Sequence, residues 1–407
     1  MLTANQTKSF IGDLIPNDKV LSNSLSKEAL EILDHTDFPD RKSELWKYSN
    51  TNKIKKGDFK IIPPANRHQN LSFSPTQINI CNGFTELAEI KGVDVYNLDT
   101  ISNEDLNHVG TVANFNRDVF SLMHQAFFQD VLFIRIPSAS VTENPIQINL
   151  DIEGSNSLSI PRVFICAEES SNSQFVFNIQ GGSDKQLHYV QVEIHCEHHA
   201  KVDVSLLENG NSEFTLVDVA ANLESSANFH INTVAMNGNW LRNNLDISIS
   251  GEFAHASLNG IVMPSGNQHI DNHTMVHHCV PNCTSSENYK NVVNDSATAI
   301  FNGKIMVHPD AQKTNAFQSS SNILLSENAT VNAKPELEIY ADDVKCSHGS
   351  TTGRLNEESL FYLRSRGLSL LSARKLLLKA FAAEVIEGVS IDAVADFINL
   401  EIDKKLI

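Results

Sequence analysis

Val202-Asp203-Val204-Ser205-Leu206 and Leu245-Asp246-Ile247-Ser248-Ile249 are the two segments that decide the fold of this 407-residue chain. Each alternates apolar with polar residues, so its apolar side chains share one face of an extended strand. Asn, Gly and Ser separate such segments, as expected for turns between short strands. The same alternation recurs at Phe229/Ile231, Ile305/Val307 and Leu337/Ile339.

The region from about residue 131 to about residue 350 contains many such segments and no long amphipathic helix. An all-β region of this size is expected to form a sandwich, a barrel, a propeller or a β-solenoid. Three details favour the solenoid: the strands are short, their spacing is uneven, and Asn and Ser cluster near predicted corners such as Asn243-Asn244. A sandwich-type fold is the main alternative that the pattern leaves open.

Helical patterns flank the β region on both sides. The chain therefore divides into an N-terminal helical and mixed region (1–130), a β core (131–353) and a C-terminal helical region (354–407). Ser24 or Ser26 is the expected cap of the first helix. Apolar residues at helical spacing predict helices at Ser26–His35, at Asp118–Gln129, from Asn356 to Arg366, from Ser369 or Ser372 to Gly388, and at Ile391–Ile402.

The overall composition is that of a soluble globular protein, with 41% hydrophobic and 20% charged residues. A formal net charge of −18 argues against nucleic acid or an anionic membrane as the main partner. We see no secretory signal in residues 1–16 and no apolar run of membrane-spanning length. The six cysteines are scattered along the chain, which predicts reduced thiols and a cytoplasmic protein.

Cys346 and His348 form the most informative chemical pair, within the run Ala341-Asp342-Asp343-Val344-Lys345-Cys346-Ser347-His348-Gly349-Ser350. Thiolate and imidazole are the donors that iron and zinc take. In a strand the two side chains share a face, and Asp342-Asp343 is predicted to be a corner. Two ligands cannot fill a four-coordinate site. The pair is therefore either structural, or its missing ligands come from another segment or another chain.

A second cluster offers a competing hypothesis, a zinc-dependent hydrolase that uses His273, His277 and Cys283. Pairs of ligands four residues apart would share a face of a helix. However, Pro281 interrupts the cysteine pair, the surroundings predict strand and loop, and the glutamate of a helical zinc-protease motif is missing. Hydrogen bonding along strands and turns is the simpler interpretation. The cluster consists of His269, His273, His277, His278, Cys279 and Cys283.

The run Pro335–Gly349 and the motifs around it resemble the SufB/SufD family of iron–sulfur cluster assembly proteins, and its SufD branch most closely. The resemblance spans nearly the whole chain and is densest after residue 270. Ser350 differs from the alanine that the family often has. The other matching motifs are Arg41, Glu44, Trp46-Lys47-Tyr48, Tyr289-Lys290, Phe301-Asn302-Gly303-Lys304-Ile305, Gln318–Ser326, Thr352-Gly353, Leu360-Phe361-Tyr362-Leu363 and Ser365-Arg366-Gly367.

This resemblance implies a mainly β fold, a right-handed parallel β-helix core with N-terminal and C-terminal helical regions. It also implies a non-enzymatic scaffold that pairs with a SufB-like paralogue and binds a SufC-like ATPase. No stably bound cofactor is expected, only transient iron or an iron–sulfur cluster in the complex, and no flavin motif is visible. An end built to meet a homologous partner can also meet its own copy, so a homodimer is a further expectation for the isolated chain.

The resemblance also assigns residues. Cys346 and His348 take the positions implicated at the SufB–SufD interface, as half of an iron or cluster site shared between chains. The C-terminal helices take the position of the ATPase-docking surface, with Leu360–Leu378 as the candidate segment. A simple hydrophobic end cap is the other interpretation, and the two roles are compatible on different faces. The predicted contact residues are Leu360, Phe361, Tyr362, Arg366, Leu376 and Phe381.

Overall fold

A computed structural model describes residue 10 and residues 14–63, 71–113, 117–182 and 185–405. Short 3-10 helices lie at Val20–Ser22, Glu44–Trp46 and Ile54–Lys56. The α-helices of the described part are α1 (Ser24–Leu33), α2 (Asn103–Leu106), α3 (Val119–Phe127), α4 (Glu357–Ser365), α5 (Leu370–Glu387) and α6 (Asp392–Lys405).

The strands of the described part are short, and most of them carry the alternation seen in the sequence. They are β1 (Thr76–Cys81), β2 (Phe84–Glu86), β3 (Asp94–Tyr96), β4 (Val131–Ile136), β5 (Ile146–Asp151), β6 (Ser157–Ser159), β7 (Arg162–Ala167), β8 (Asn172–Ile179), β9 (Gln186–Cys196), β10 (Lys201–Glu208), β11 (Phe214–Leu223), β12 (Asn228–Ala235), β13 (Trp240–Ile249), β14 (His255–Val262), β15 (His269–His278), β16 (Thr284–Val293), β17 (Thr298–Val307), β18 (Asn315–Leu324), β19 (Thr330–Ile339) and β20 (Lys345–Gly353).

Successive strands from β8 onward alternate between two sheets, so each strand pairs with the strand one coil away. Sheet A has the order β3-β4-β7-β9-β11-β13-β15-β17-β19, and sheet B has the order β2-β1-β5-β8-β10-β12-β14-β16-β18-β20. Apart from β1–β2 and β3–β4, the pairs in these two orders are parallel. The core is therefore a parallel β-solenoid of about eight turns. The solenoid prediction is confirmed, and the sandwich alternative is wrong.

The hydrophobic core lies inside the coil, where equivalent residues stack in register. Val204 pairs with Ile231, and Ile231 pairs with Leu258. Each of these side chains is at most 1% exposed. Full burial of such a side chain contributes about 1.5–3 kcal/mol, so the repeated inner column is the main source of stability.

One corner of the coil repeats a left-handed backbone residue. Backbone N–H groups there donate to the next coil, for example from Ser170 to the His198 carbonyl at 2.9 Å and from Ser226 to the Glu252 carbonyl at 2.9 Å. This ladder satisfies backbone groups that the turn would otherwise leave unpaired. The residues with positive φ at this corner are Ala139, Ser170, His199, Ser226, Phe253, Asn282 and Lys313.

The N-terminal region packs on the outer face of sheet A. Apolar residues of α1, α3 and the segment around Trp46 meet outward residues of β9 and β11, including Leu187 and Phe214. The cap of α1 is Asn23 rather than Ser24 or Ser26. Its side chain accepts from the Leu25 amide at 2.8 Å and also donates to the Leu106 carbonyl at the end of α2 and to the Val109 carbonyl in the loop that follows.

The C-terminal helices pack on the outer face of sheet B. Leu378 and Val385 of α5 lie in one apolar cluster with Val234 and Ile261 of the sheet. The three helices begin and end close to the predicted positions, with Asn356 and Ser369 as caps, although α6 extends to Lys405. The end-cap alternative is wrong, because the helices fold back along the side of the solenoid. Among the described residues, no helix is both long and apolar enough to cross a lipid bilayer.

The corner residue Phe253 has φ +64° and is 65% exposed, so its ring brings little packing to offset the strained backbone. We expect Phe253→Gly to raise the free energy of unfolding by roughly 0.5–1 kcal/mol, since relief of left-handed strain exceeds the entropic cost of glycine. Urea unfolding followed by circular dichroism measures this change. Phe253→Ala is the control, because it removes the ring and keeps the Cβ. Equal stability of the two variants would show that backbone strain is not the cause.

Candidate functional site

The last strands, β19 and β20, form an open end of the solenoid. In the described part of the chain, β19 pairs only with β17 and β20 only with β18, so each strand has a free edge. Free edges of this length are templates for pairing with another chain. Three large apolar side chains are exposed beside them, Phe317 at 49%, Ile339 at 40% and Tyr340 at 61%.

Cys346 lies on the inner face of β20, in register with Ala316 of the preceding coil. Its side chain is half-buried and packs against the hydrophobic core. Burial raises the pKa of the Cys346 thiol, although a backbone hydrogen bond from Ala316 opposes the rise. A thiol with a raised pKa is protonated at neutral pH and is a poor ligand until its surroundings change.

His348 lies two residues further along the same face of β20, in register with Gln318. It is exposed, because no coil follows. Asp342 and Asp343 lie between β19 and β20, so the predicted corner is confirmed. Across the described ranges, no group of three or more His, Cys, Asp or Glu side chains is placed to hold a metal ion. Among the described residues, the open end therefore brings together two potential donors, fewer than a four-coordinate metal site contains.

The zinc hydrolase alternative is wrong for the described residues. His273 and His277 lie on strand β15, where a separation of four residues spans about 13 Å. His273 bonds to Asp271 at 2.8 Å, and His277 stacks on His308 with ring centroids 5.8 Å apart. Cys283 is buried in the solenoid core. His273 and His277 thus make structural contacts on the outer face of β15, whereas Cys283 lies inside the solenoid.

Within this cluster, His269 takes part in a set of hydrogen bonds that holds the N-terminal segment against sheet A. The Ser49 hydroxyl bonds to His269 at 2.8 Å and to Asp271, which also accepts from Arg242 at 2.8 Å. Burial alone would raise the pKa of Asp271, but the neighbouring His273 and Arg242 hold it well below its ordinary value. Arg242 lies 4.0 Å from the ring of Trp46, the tryptophan of the N-terminal motif.

The predicted docking residues lie on and around α4 and α5 and differ in exposure. Phe361, Tyr362, Arg366 and Leu376 are exposed, whereas Leu360 is buried. Phe381 is half-buried beneath Lys290, whose ammonium lies 5.3 Å from the ring centre. A cleft of about 500 Å³ lies between the helices and is lined by Glu358, Ser359, Tyr362, Leu363, Leu376, Leu377 and Ala380. The helices thus combine a buried face with an exposed apolar one.

A family profile described as "SUF system FeS cluster assembly, SufBD core domain" matches residues 150–381, more than half of the chain. The chain belongs to the SufB/SufD family. The matched segment covers most of the solenoid and reaches into α5. The family resemblance in the sequence is therefore confirmed.

Its similarities to curated proteins are of the SufD type. The chain is 25% identical to the iron–sulfur cluster assembly protein SufD of Escherichia coli, over 94% of this chain and 92% of that protein. It is 28% identical to Protein ABCI7, chloroplastic, of Arabidopsis thaliana, over 91% and 83%. It is 27% identical to a SufBD family protein of Synechocystis, over 91% and 88%.

Two buried glutamates inside the solenoid of this SufD-type chain were missed by the sequence analysis. Glu208 accepts from Asn243 at 2.9 Å, and Glu287 accepts from Thr274 at 2.6 Å and from Gln318 at 3.2 Å. Burial raises the pKa of Glu208 to about 8 and that of Glu287 to about 7. The sequence could have revealed them, because each glutamate lies two residues after an inward-facing residue of its strand. The alternation therefore places its side chain on the inner face as well.

Glu208→Gln should remove a pH dependence of stability. Because the folded pKa of about 8 lies above the ordinary value of 4.5, the Glu208 contribution is full below about pH 4.5 and is lost as the pH rises toward 8. Relative to Glu208→Gln, the unchanged chain should therefore lose on the order of a few kcal/mol between about pH 5 and pH 8.5. Urea unfolding across this range measures the difference.

Glu327→Gln, at an exposed glutamate, is the matched control; because it keeps Glu208, its stability should follow the same pH profile as that of the unchanged chain. If the unchanged chain and Glu208→Gln have parallel pH profiles, Glu208 does not bind its proton inside the folded solenoid.

Proposed function

We propose that this chain is a non-enzymatic scaffold subunit of the SUF assembly complex. It pairs through the open end of its solenoid with a SufB-like paralogue and binds a SufC-like ATPase at the α4–α5 cleft. The observation that carries the proposal is the two-donor set, Cys346 and His348, beside free strand edges. Family membership and the naming of relatives as assembly proteins support the same conclusion.

Iron or a nascent cluster is the cargo of this site. One chain supplies a thiol and an imidazole, and the partner supplies the remaining ligands of a four-coordinate iron. The raised pKa of Cys346 favours the protonated thiol while it is half-buried. A rearrangement that exposes the thiol lets it ionise and coordinate, so movement of the partners regulates loading.

A second copy of the chain is the alternative occupant of the open end when the paralogue is absent. The free edges of β19 and β20 and the exposed Phe317 and Tyr340 are suited to a strand-bearing partner with a similar end. Two identical ends meet around a two-fold axis, which brings two thiols and two imidazoles together.

His348→Ala should weaken iron or cluster binding by the assembled complex by at least about tenfold, since even an outer partner of a ligand is worth that much. Binding of both partners should persist, because an exposed imidazole adds little to interface packing. Metal analysis of the complex purified through a tag on the paralogue measures both outcomes.

His198→Ala is the matched control, because His198 is also exposed (its side chain at 57%) but lies at the corner after β9. Unchanged iron binding in His348→Ala, with both partners retained, would rule out His348 as an interface ligand.

Tyr362→Asp and Leu376→Asp should each weaken ATPase binding by roughly 30-fold, as expected for the loss of an apolar anchor of about 2 kcal/mol. Leu400→Asp, at an exposed leucine of α6, is the control. Pull-down with the tagged ATPase reports the loss. Point variants are better than truncation after Gly353, because truncation would uncover the outer face of sheet B. Binding that survives both substitutions places the docking surface elsewhere.

A further inference from the structure

A column of polar side chains runs along the inner face of sheet B to the open end. Glu287 of β16 is in register with Gln318 of β18, and Gln318 is in register with His348 of β20. Neighbouring strands lie about 4.8 Å apart, so each of these side chains has the next as its immediate neighbour. Gln318 is 3% exposed and is the last buried member of the column.

The hydrogen bonds within this column have a defined direction. The Thr274 hydroxyl donates to Glu287 Oε2 at 2.6 Å, and Gln318 Nε2 donates to Glu287 Oε1 at 3.2 Å. An ionised carboxylate only accepts, so it requires the NH₂ group of Gln318 to face it. Gly303 leaves room for this arrangement, because a Cβ there would lie 2.3 Å from Gln318 Nε2.

This orientation leaves the other end of the amide without a partner. Gln318 Oε1 is buried and accepts no hydrogen bond from any described residue. A buried acceptor without a partner is unfavourable, so a nearby donor is strongly favoured. The next side chain on the same face, toward the open end, is the imidazole of His348.

We propose that Gln318 is a positioning residue for His348: rotation of the exposed imidazole toward Gln318 lets the free side-chain oxygen accept one ring N–H, which leaves the other ring nitrogen unprotonated and available as a ligand at the open end. The inference rests on the proposed function for its purpose, since a histidine ligand is fixed by the hydrogen bond of its second nitrogen. Glu287 and Thr274 act one step further back, because they decide which end of the Gln318 amide faces His348.

The test is the tautomer of His348, read from ¹⁵N chemical shifts of the full-length chain labelled in histidine, at about pH 8.5, where Glu287 is ionised. His348→Ala identifies the signal by its loss. The unchanged chain should hold one neutral tautomer. Gln318→Leu should change the tautomer ratio by about fivefold or more, which corresponds to a hydrogen bond of about 1 kcal/mol.

Asn322→Leu is the matched control. Asn322 lies on the same strand and face as Gln318 and is equally buried at 3%, but it bonds to Asn291 and to the Thr351 carbonyl. It should leave the tautomer unchanged. Glu287→Gln is the second test, because it keeps the shape of the side chain and removes the demand for an NH₂ group. The amide of Gln318 is then free to turn, and the tautomer preference should be lost or reversed.

Two readouts separate this inference from the proposed function. An unchanged tautomer in both Gln318→Leu and Glu287→Gln overturns the role of Gln318, whatever the iron binding of His348→Ala. A tautomer that changes as expected supports the role of Gln318 even if His348→Ala binds iron normally, and in that case the interface-ligand function fails. If both hold, Gln318→Leu should also weaken iron binding by the complex by about tenfold, while Asn322→Leu should not.

Discussion

Pairing between coils is the constraint on which the rest of the structure depends. Each strand bonds to the strand one full coil away, and each inner side chain packs on its equivalents in the neighbouring coils. The repeat itself does not terminate such a stack, so the first and last coils keep unpaired strand edges unless another segment covers them. At its start, β2 and β3 add antiparallel to β1 and β4 and cover part of the first coils. At its finish, β19 and β20 have no corresponding cover within the described chain.

The outer faces of the sheets explain why the last coil stays uncovered. Outward apolar residues on sheet A hold the N-terminal region, and those on sheet B hold α5 and α6. The terminal regions therefore cover the sides of the solenoid rather than its end. This arrangement separates two surfaces of the same chain, the exposed cleft between α4 and α5 and the free edges of the last coil.

Strand alternation was sufficient to predict the all-β core, because inner and outer residues differ in polarity along segments such as Val202–Leu206. It favoured the solenoid but left a sandwich open, and the family resemblance was needed to choose between them. Helix starts were predicted well where one cap residue dominated, as at Asn356. Asn23 was missed because its value as a cap depends on contacts with the end of α2 and the loop after it, which are distant in sequence. For the His269–Cys283 cluster, the predicted strand and loop already favoured structural hydrogen bonds over a zinc site, and His273 and His277 do lie on strand β15.

The polar column was beyond sequence reasoning, because its direction depends on three coils brought into register and on the room that Gly303 leaves for Gln318. Its position follows from the coil geometry. A polar group deep in the stack needs a partner in the next coil, and only the last coil has none. A buried hydrogen-bonded chain that begins at Thr274 therefore delivers its final acceptor to the inner face of β20, where the half-buried Cys346 and the exposed His348 lie. Under the proposed scaffold function, a site with only two donors would hold iron weakly in the free subunit, which suits a subunit that passes on its cargo.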